Sequence, residues 1–234
     1  MVAYMKNNTM RDITILFLTI NRVPKKWAEY QLDVLKKAIG DADVISVSKE
    51  PMDFGVNLIQ AEEPSTANIY WQILRAAKIA TTPYVAIAED DVLYCYEHFN
   101  FYRPPIDTFA YNMVRWQIHM FDTPMYYWRK RLANYALIAP RELLIEALEE
   151  RFAKYPFPDP RGGMGEVGKT RMEKRLGLIP RKVIEFSTTT GIVCLHHEFG
   201  IDPLEKNGRK RRGMIRAYSI PYWGQAKNIM EKFI

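Results

Sequence analysis

From Thr82 to Tyr94 the chain reads TPYVAIAEDDVLY: a Thr-Pro turn, an apolar run of β-favouring residues, and then three consecutive carboxylates. A continuous apolar run bounded by turn residues suits a strand covered on both faces at the centre of a sheet. Three ionised acids cannot sit inside such a sheet. Glu89, Asp90 and Asp91 are therefore expected at the strand's carboxyl end, in solvent or on a cation. Open α/β sheets bind their ligands at that edge. Clustered carboxylates without nearby thiols suit a hard divalent ion, Mg²⁺ or Mn²⁺. The competing reading is an acidic strand-to-loop junction that holds no metal.

The flanking sequence fits such a sheet. Ile13–Thr19 reads as a first strand, and Pro24 starts a helix with apolar spacing at Trp27, Tyr30, Leu32, Leu35 and Ile39 that stops at Gly40. A second strand follows at Val44–Ser48. After a loop over residues 51–64, Ser65 can cap a helix that feeds the central strand. Thr19, Asn21, Arg22, Ser48 and Lys49 then converge on the edge that carries the acids. This half has neither GxGxxG nor GxxxxGK[ST]. Dinucleotide redox chemistry and P-loop hydrolysis are disfavoured, and a metal on carboxylates is the available device for neutralising a diphosphate.

Beyond Tyr96 the chain is aromatic-rich and punctuated by prolines. Met113–Ile118, Tyr126–Trp128 and Tyr135–Ala139 read as strands of an antiparallel extension of the same sheet. A helix follows from Pro140 to Arg151, with Glu142, Glu146 and Glu149 on its wet face. The glycine-bearing loop over residues 156–165 leads to Glu166 at the start of a further helix. There, dipole stabilisation of the carboxylate and a catalytic role are both open. Gly191–Gly200 reads as a strand that delivers His196 and His197. Adjacent side chains point to opposite faces, so at most one is expected at the acidic site. The segment from Lys206 to Gly213 is a basic loop, and residues 1–11 read as a polar, frayed end.

The totals are compatible with this plan. A chain of 234 residues, 48% hydrophobic and 26% charged, can bury a sizeable core. Cys95 and Cys194 lie far apart, which suggests neither a disulfide framework nor a thiolate zinc site and points to a reducing, cytoplasmic compartment. No apolar run approaches the roughly 20 residues needed to cross a bilayer. The formal charge of +6 favours phosphate-bearing partners.

The ordered set of Thr19-Ile20-Asn21-Arg22, the helix from Ser65 into Tyr84–Ala88, Glu89-Asp90-Asp91, Glu166 after its loop, and a late histidine resembles the GT-A glycosyltransferases. The resemblance covers nearly the whole chain and extends to small phage-encoded enzymes that modify hydroxymethylated bases in DNA. It implies an α/β fold of GT-A type, with a Rossmann-like mixed central sheet flanked by helices in one domain. Residues 12–95 would form the nucleotide-sugar half, 96–190 the acceptor half, and 191–234 the metal-ligand strand and basic lid.

For the site, the resemblance implies Mn²⁺ or Mg²⁺ on Asp91 and His197, or His196 in the other strand register. Thr19, Asn21, Arg22 and Ser48 would line the nucleoside pocket, with Glu89 and Asp90 toward the ribose or sugar. Arg209 and Lys210 would close on the diphosphate, and Glu166 would be the general base of an inverting transfer. The donor would be a nucleoside diphosphate sugar, a UDP-sugar first among them, and the acceptor hydroxymethylated DNA. The Glu-Asp-Asp triplet departs from a plain DxD, and Gly-Glu-Val stands where an acidic pair is common. Two other classes compete: a non-catalytic nucleic-acid-binding module using the Arg209–Arg212 cluster and aromatics, and a metal-dependent nucleotidyltransferase or nuclease using Asp90 and Asp91.

Overall fold

The computed structural model describes residues 12–157, 165–200 and 215–234. Residues 1–11, most of the loop before Glu166, and the basic loop with Arg209 and Lys210 lie outside the described residues.

Strand β1 (Ile13–Leu18) is followed by α1 (Lys25–Ile39), β2 (Asp43–Ser48), β3 (Val56–Ile59), α2 (Thr66–Ile79) and β4 (Tyr84–Glu89). These four strands run parallel, with β1 between β2 and β4. Side chains alternate across β1. Ile13, Ile15 and Phe17 pack with Trp27 and Leu35 of α1, whereas Leu16 and Leu18 pack with Tyr70, Ile73 and Leu74 of α2. Strand β4 divides the same way, Ala86 and Ala88 on one side and Val85 and Ile87 on the other. Burial of both faces explains the unbroken apolar runs. The Ser65 hydroxyl accepts the Asn68 N–H at 3.0 Å and caps α2, a contact typically worth about 1 kcal/mol.

Sequence pattern and structure part over residues 51–64, expected as loop, where β3 forms the sheet's outer edge. Its side chains are exposed or half-buried, so little apolar alternation announces it. Gly55 makes this edge possible. It adopts φ +70°, and a Cβ there would lie 2.2 Å from the Val44 carbonyl oxygen.

The second half departs further from expectation. After β5 (Val92–Leu93) and α3 (Tyr96–Asn100) come β6 (Thr108–Asn112), β7 (Arg115–His119), β8 (Tyr126–Trp128), β9 (Leu137–Pro140) and α4 (Arg141–Lys154). Then follow α5 (Thr170–Leu176), β10 (Lys182–Phe186), β11 (Ile192–His196), β12 (Ile215–Ala217), β13 (Ser219–Ile220), β14 (Gly224–Gln225) and α6 (Ala226–Phe233). Strand β9 does extend the main sheet in antiparallel fashion, and β6 and β10 complete it in the order β10-β6-β9-β4-β1-β2-β3. Strands β7 and β8 do not. They build a second sheet, β12-β8-β7-β11-β5, in which β7 pairs in parallel with β11, far downstream. A local apolar pattern reports that a strand is half-buried but not which strand it pairs with.

The molecule is thus a mixed α/β fold with a central mixed sheet flanked by helices. Helices α2 and α4 cover one face. Helix α1, the second sheet and α6 cover the other. Among the described residues no helix is long and apolar enough to cross a membrane.

Candidate functional site

Register places the acids. Leu18 pairs with both Val47 and Glu89, so β1, β2 and β4 end level with one another. Strand β4 stops at Glu89, Asp90-Asp91 turn the chain, and β5 departs into the second sheet against Val193 and Cys194 of β11. The Leu195 N–H then donates to the Asp91 carbonyl at 2.8 Å. The acidic turn therefore stitches the two sheets together and brings His197, one residue past β11, beside Asp91.

The turn is held from three sides. From α1, the Trp27 indole N–H donates to the Asp90 carbonyl at 2.8 Å, and the Gln31 amide donates to the carbonyls of Glu89 (3.2 Å) and Val92 (3.0 Å). The Tyr94 hydroxyl accepts the Glu89 N–H and donates to the Tyr135 carbonyl. The Thr19 hydroxyl donates to Asp90 Oδ2 at 2.5 Å.

These contacts fix three half-buried carboxylates with their side chains at one cavity. Burial, aided by the charges of Asp90 and Glu166, pushes Glu89 up to about 8. Burial raises Asp90 to about 6 against the pull of the Thr19 hydroxyl, and raises Asp91 well above the usual carboxylate range, with Glu89 and Asp90 adding to it. Burial also lowers His197 to about 4, so its ring is neutral near pH 7.

The cavity measures about 560 Å³, an ordinary size for a small-molecule site. Thr19, Arg22, Glu89, Asp90, Asp91, His196 and His197 line it together with Glu166. His197 Nε2 stands 3.7 Å from Asp91 Oδ2. His196 lines the cavity too, but its ring stacks on His119 at 4.9 Å. Asn21 and Ser48 are placed differently. Asn21 sits at φ 55°, and its Oδ1 accepts the N–H groups of Lys49 and Glu50, tying the end of β1 to the end of β2. Ser48 is fully buried, donating to the Glu50 carbonyl and accepting from Asn57.

Glu166 is not at a helix start. Helix α5 begins four residues later, so the dipole does not account for it. Its neighbours do: Arg131 lies 3.5 Å from Oε1 and Lys169 3.3 Å from Oε2. Glu173, one turn into α5, serves the backbone instead, accepting the N–H groups of Gly168 and Arg181.

The donor set around Asp91 fits a hard divalent cation. Asp91 Oδ1 is buried without a hydrogen-bond partner, and burial penalises ionisation of the clustered acids, a cost that a cation relieves. Among the described residues no group of three or more His, Cys, Asp or Glu could hold an ion unaided. One carboxylate with one imidazole suits Mn²⁺ better than Mg²⁺, which takes oxygen ligands, and an ion held by so few side chains is shared with waters and substrate phosphates. His197 Nδ1 accepts the Phe199 N–H at 3.1 Å. That leaves the proton of the neutral ring on Nε2, so ligation through Nε2 requires this contact to be released.

No sequence motif marks Gln31, Arg131 or Lys169 for the site, and Trp27 reads in the sequence only as part of the apolar face of its helix. One signal was present: Gln31 is a polar residue four positions after Trp27, on the buried face of a helix.

No family model and no curated protein matches the chain. Among solved structures it is similar to a mannosyltransferase from Pyrobaculum calidifontis in complex with GDP-Man and Mn²⁺, at 17% identity and TM-score 0.46, over 79% of this chain and 56% of that one. It is similar too to a Methanothermobacter nucleotidyl transferase (14%, TM-score 0.46, 86% and 96%). A third match is the catalytic domain of Drosophila β1,4-galactosyltransferase 7 in complex with xylobiose (13%, TM-score 0.44, 96% and 81%). The chain spans a little over half the length of the mannosyltransferase. Likeness this distant says nothing of this chain's reaction.

Proposed function

We propose that the chain is a metal-dependent glycosyltransferase of GT-A type, moving a sugar from a nucleoside diphosphate sugar to an acceptor hydroxyl. One observation carries the reading: Asp91 with its unpartnered Oδ1, His197 and Glu166 share one cavity at the carboxyl edge of the sheet. Asp91 and His197 would hold the cation, which when bound neutralises charge gathering on the departing diphosphate. Thr19 orients Asp90 toward the donor, and Arg22 lines the same end. Asn21 and Ser48 act in this reading by shaping the wall between β1 and β2. Arg209 and Lys210, outside the described residues, would close on the diphosphate.

Glu166 is the proposed general base. It takes the acceptor hydroxyl's proton while the oxygen's electron pair bonds to the anomeric carbon. The bond from that carbon to the diphosphate oxygen breaks, its electron pair leaving with the diphosphate. Attack opposite the leaving group inverts the anomeric centre. General-base help of this kind is typically worth 10²- to 10⁴-fold. A UDP-sugar donor and a hydroxymethylated base in DNA as acceptor remain the choices that the sequence resemblance suggests.

A nucleotidyltransferase is the second reading. The charge of Glu166 bears on Glu89, so a fourth acid joins the cluster that such chemistry needs.

Calorimetric titration of UDP, GDP, dTDP and CDP, each with and without Mn²⁺, tests the proposal. Metal-dependent binding of one nucleoside diphosphate is expected. Preference for a nucleoside triphosphate, with pyrophosphate release, would favour nucleotidyl transfer. DNA binding indifferent to metal and nucleotide would favour a non-catalytic module.

A further inference from the structure

The two cations at Glu166 differ from it in one respect. The Glu166 side chain is buried, whereas theirs are half-exposed. Its side chain is 9% exposed, against 38% for Arg131 and 45% for Lys169. The backbone on either side of Glu166 is pinned. Arg151 and Tyr70 both donate to the Gly165 carbonyl, and Glu173 holds the Gly168 N–H at 2.6 Å. The N···O separations of 3.5 and 3.3 Å exceed the roughly 2.7–2.9 Å of a tight charge-assisted hydrogen bond. Half-exposed pairs of this kind contribute little stability. Two loosely held cations thus stand over both oxygens of the carboxylate proposed to receive a proton.

We infer that the acceptor carries an oxyanion, a phosphate or a carboxylate, close to its reacting hydroxyl, and that Arg131 and Lys169 are its recognition residues. Both line the same cavity as Glu166 and can re-aim at an entering anion without backbone movement. The main chain of Arg131 is anchored meanwhile, because its carbonyl accepts Arg115 Nε at 2.7 Å. As the cations turn to the anion, the Glu166 oxygens are uncovered for the hydroxyl. A neutral acceptor would leave them covered. This inference rests on the glycosyltransferase reading and names the acceptor class for that site.

The probe is inorganic phosphate, with acetate in parallel. Each is titrated calorimetrically into protein saturated with Mn²⁺ and the nucleoside diphosphate it binds, and again into protein without nucleotide. Arg131→Gln/Lys169→Gln is expected to weaken phosphate binding by at least about fivefold. Glu166→Gln is expected to strengthen it by a similar factor, because the competing carboxylate charge is gone. Nucleotide affinity should stay within about twofold in both variants. Tighter binding of phosphate than acetate assigns a phosphate, and the reverse a carboxylate. Unchanged phosphate affinity in the double variant, weaker affinity in Glu166→Gln, or displacement of nucleotide by phosphate would each overturn the inference. Should the double variant not fold, the sign of the Glu166→Gln effect decides. If wild-type protein binds no nucleoside diphosphate, the glycosyltransferase reading fails first, and the nucleotide-free arm still judges the cation pair.

Discussion

The two ends of the cavity are built on opposite principles. Around Asp90-Asp91 the backbone from Glu89 to Val92 is gripped by buried donors from α1, Trp27 and Gln31, and by the Tyr94 hydroxyl just past β5, at 2.8–3.2 Å. At Glu166 the side chain lies before α5 and meets half-exposed cations at 3.3–3.5 Å. Rigid placement suits a group that must hold an ion at fixed distances, because a site held by locked neighbours does not pay to reorganise. Loose cover suits a group that must meet different atoms before and during reaction. The cavity is therefore preorganised where the donor is proposed to bind and adaptable where the acceptor is.

The largest effect expected from this contrast is on turnover. Glu166→Gln should lower sugar transfer by about 10²- to 10⁴-fold while donor affinity stays within about twofold. Steady-state rates beside nucleotide titrations measure this split, and wild-type turnover would put the base elsewhere. Asp91→Ala acts at the rigid end. It should weaken metal-dependent nucleotide binding by at least about 100-fold with the melting temperature retained, because a half-buried acid without a partner on Oδ1 adds little to the fold. Full nucleotide affinity in that variant would remove Asp91 from the site.

The rigid end was legible in the chain, because each of its signals is local. The run Tyr84–Ala88 breaking into Glu89, the Ser65 cap, and the histidines ending Ile192–His196 all report short-range pattern, and register alone then brings Thr19 to Asp90. The adaptable end was legible only at Glu166. Arg131 and Lys169 sit 35 and 3 residues from it, and nothing in either neighbourhood marks a cation that will cover a carboxylate. The second sheet was illegible for a related reason. Strand β7 alternates polar and apolar residues, and its partner β11 begins only after β10. Non-local pairing leaves no local trace, whereas the alternation within each strand does.

Gln31 allows the smallest and most discriminating test of the comparison. It is buried at 1% exposure, its amide bridges the Glu89 and Val92 carbonyls, and its Oε1 has no partner. Gln31→Leu keeps the volume roughly constant and removes an orphaned acceptor, which offsets part of the roughly 1–3 kcal/mol for unpairing the two carbonyls. Stability should therefore fall only modestly. The turn, however, loses its clamp from α1, and metal-dependent nucleotide affinity should fall by about 10-fold, as it does when an outer partner of a metal ligand is removed. Arg131→Gln, an equally conservative change at the other end, should shift that affinity by less than about twofold. Mn²⁺ titration of both variants, with denaturant midpoints measured in parallel, provides the comparison. If Gln31→Leu binds metal and nucleotide as wild type does, the acidic turn holds its geometry without help from α1, and rigidity cannot be what separates the two ends.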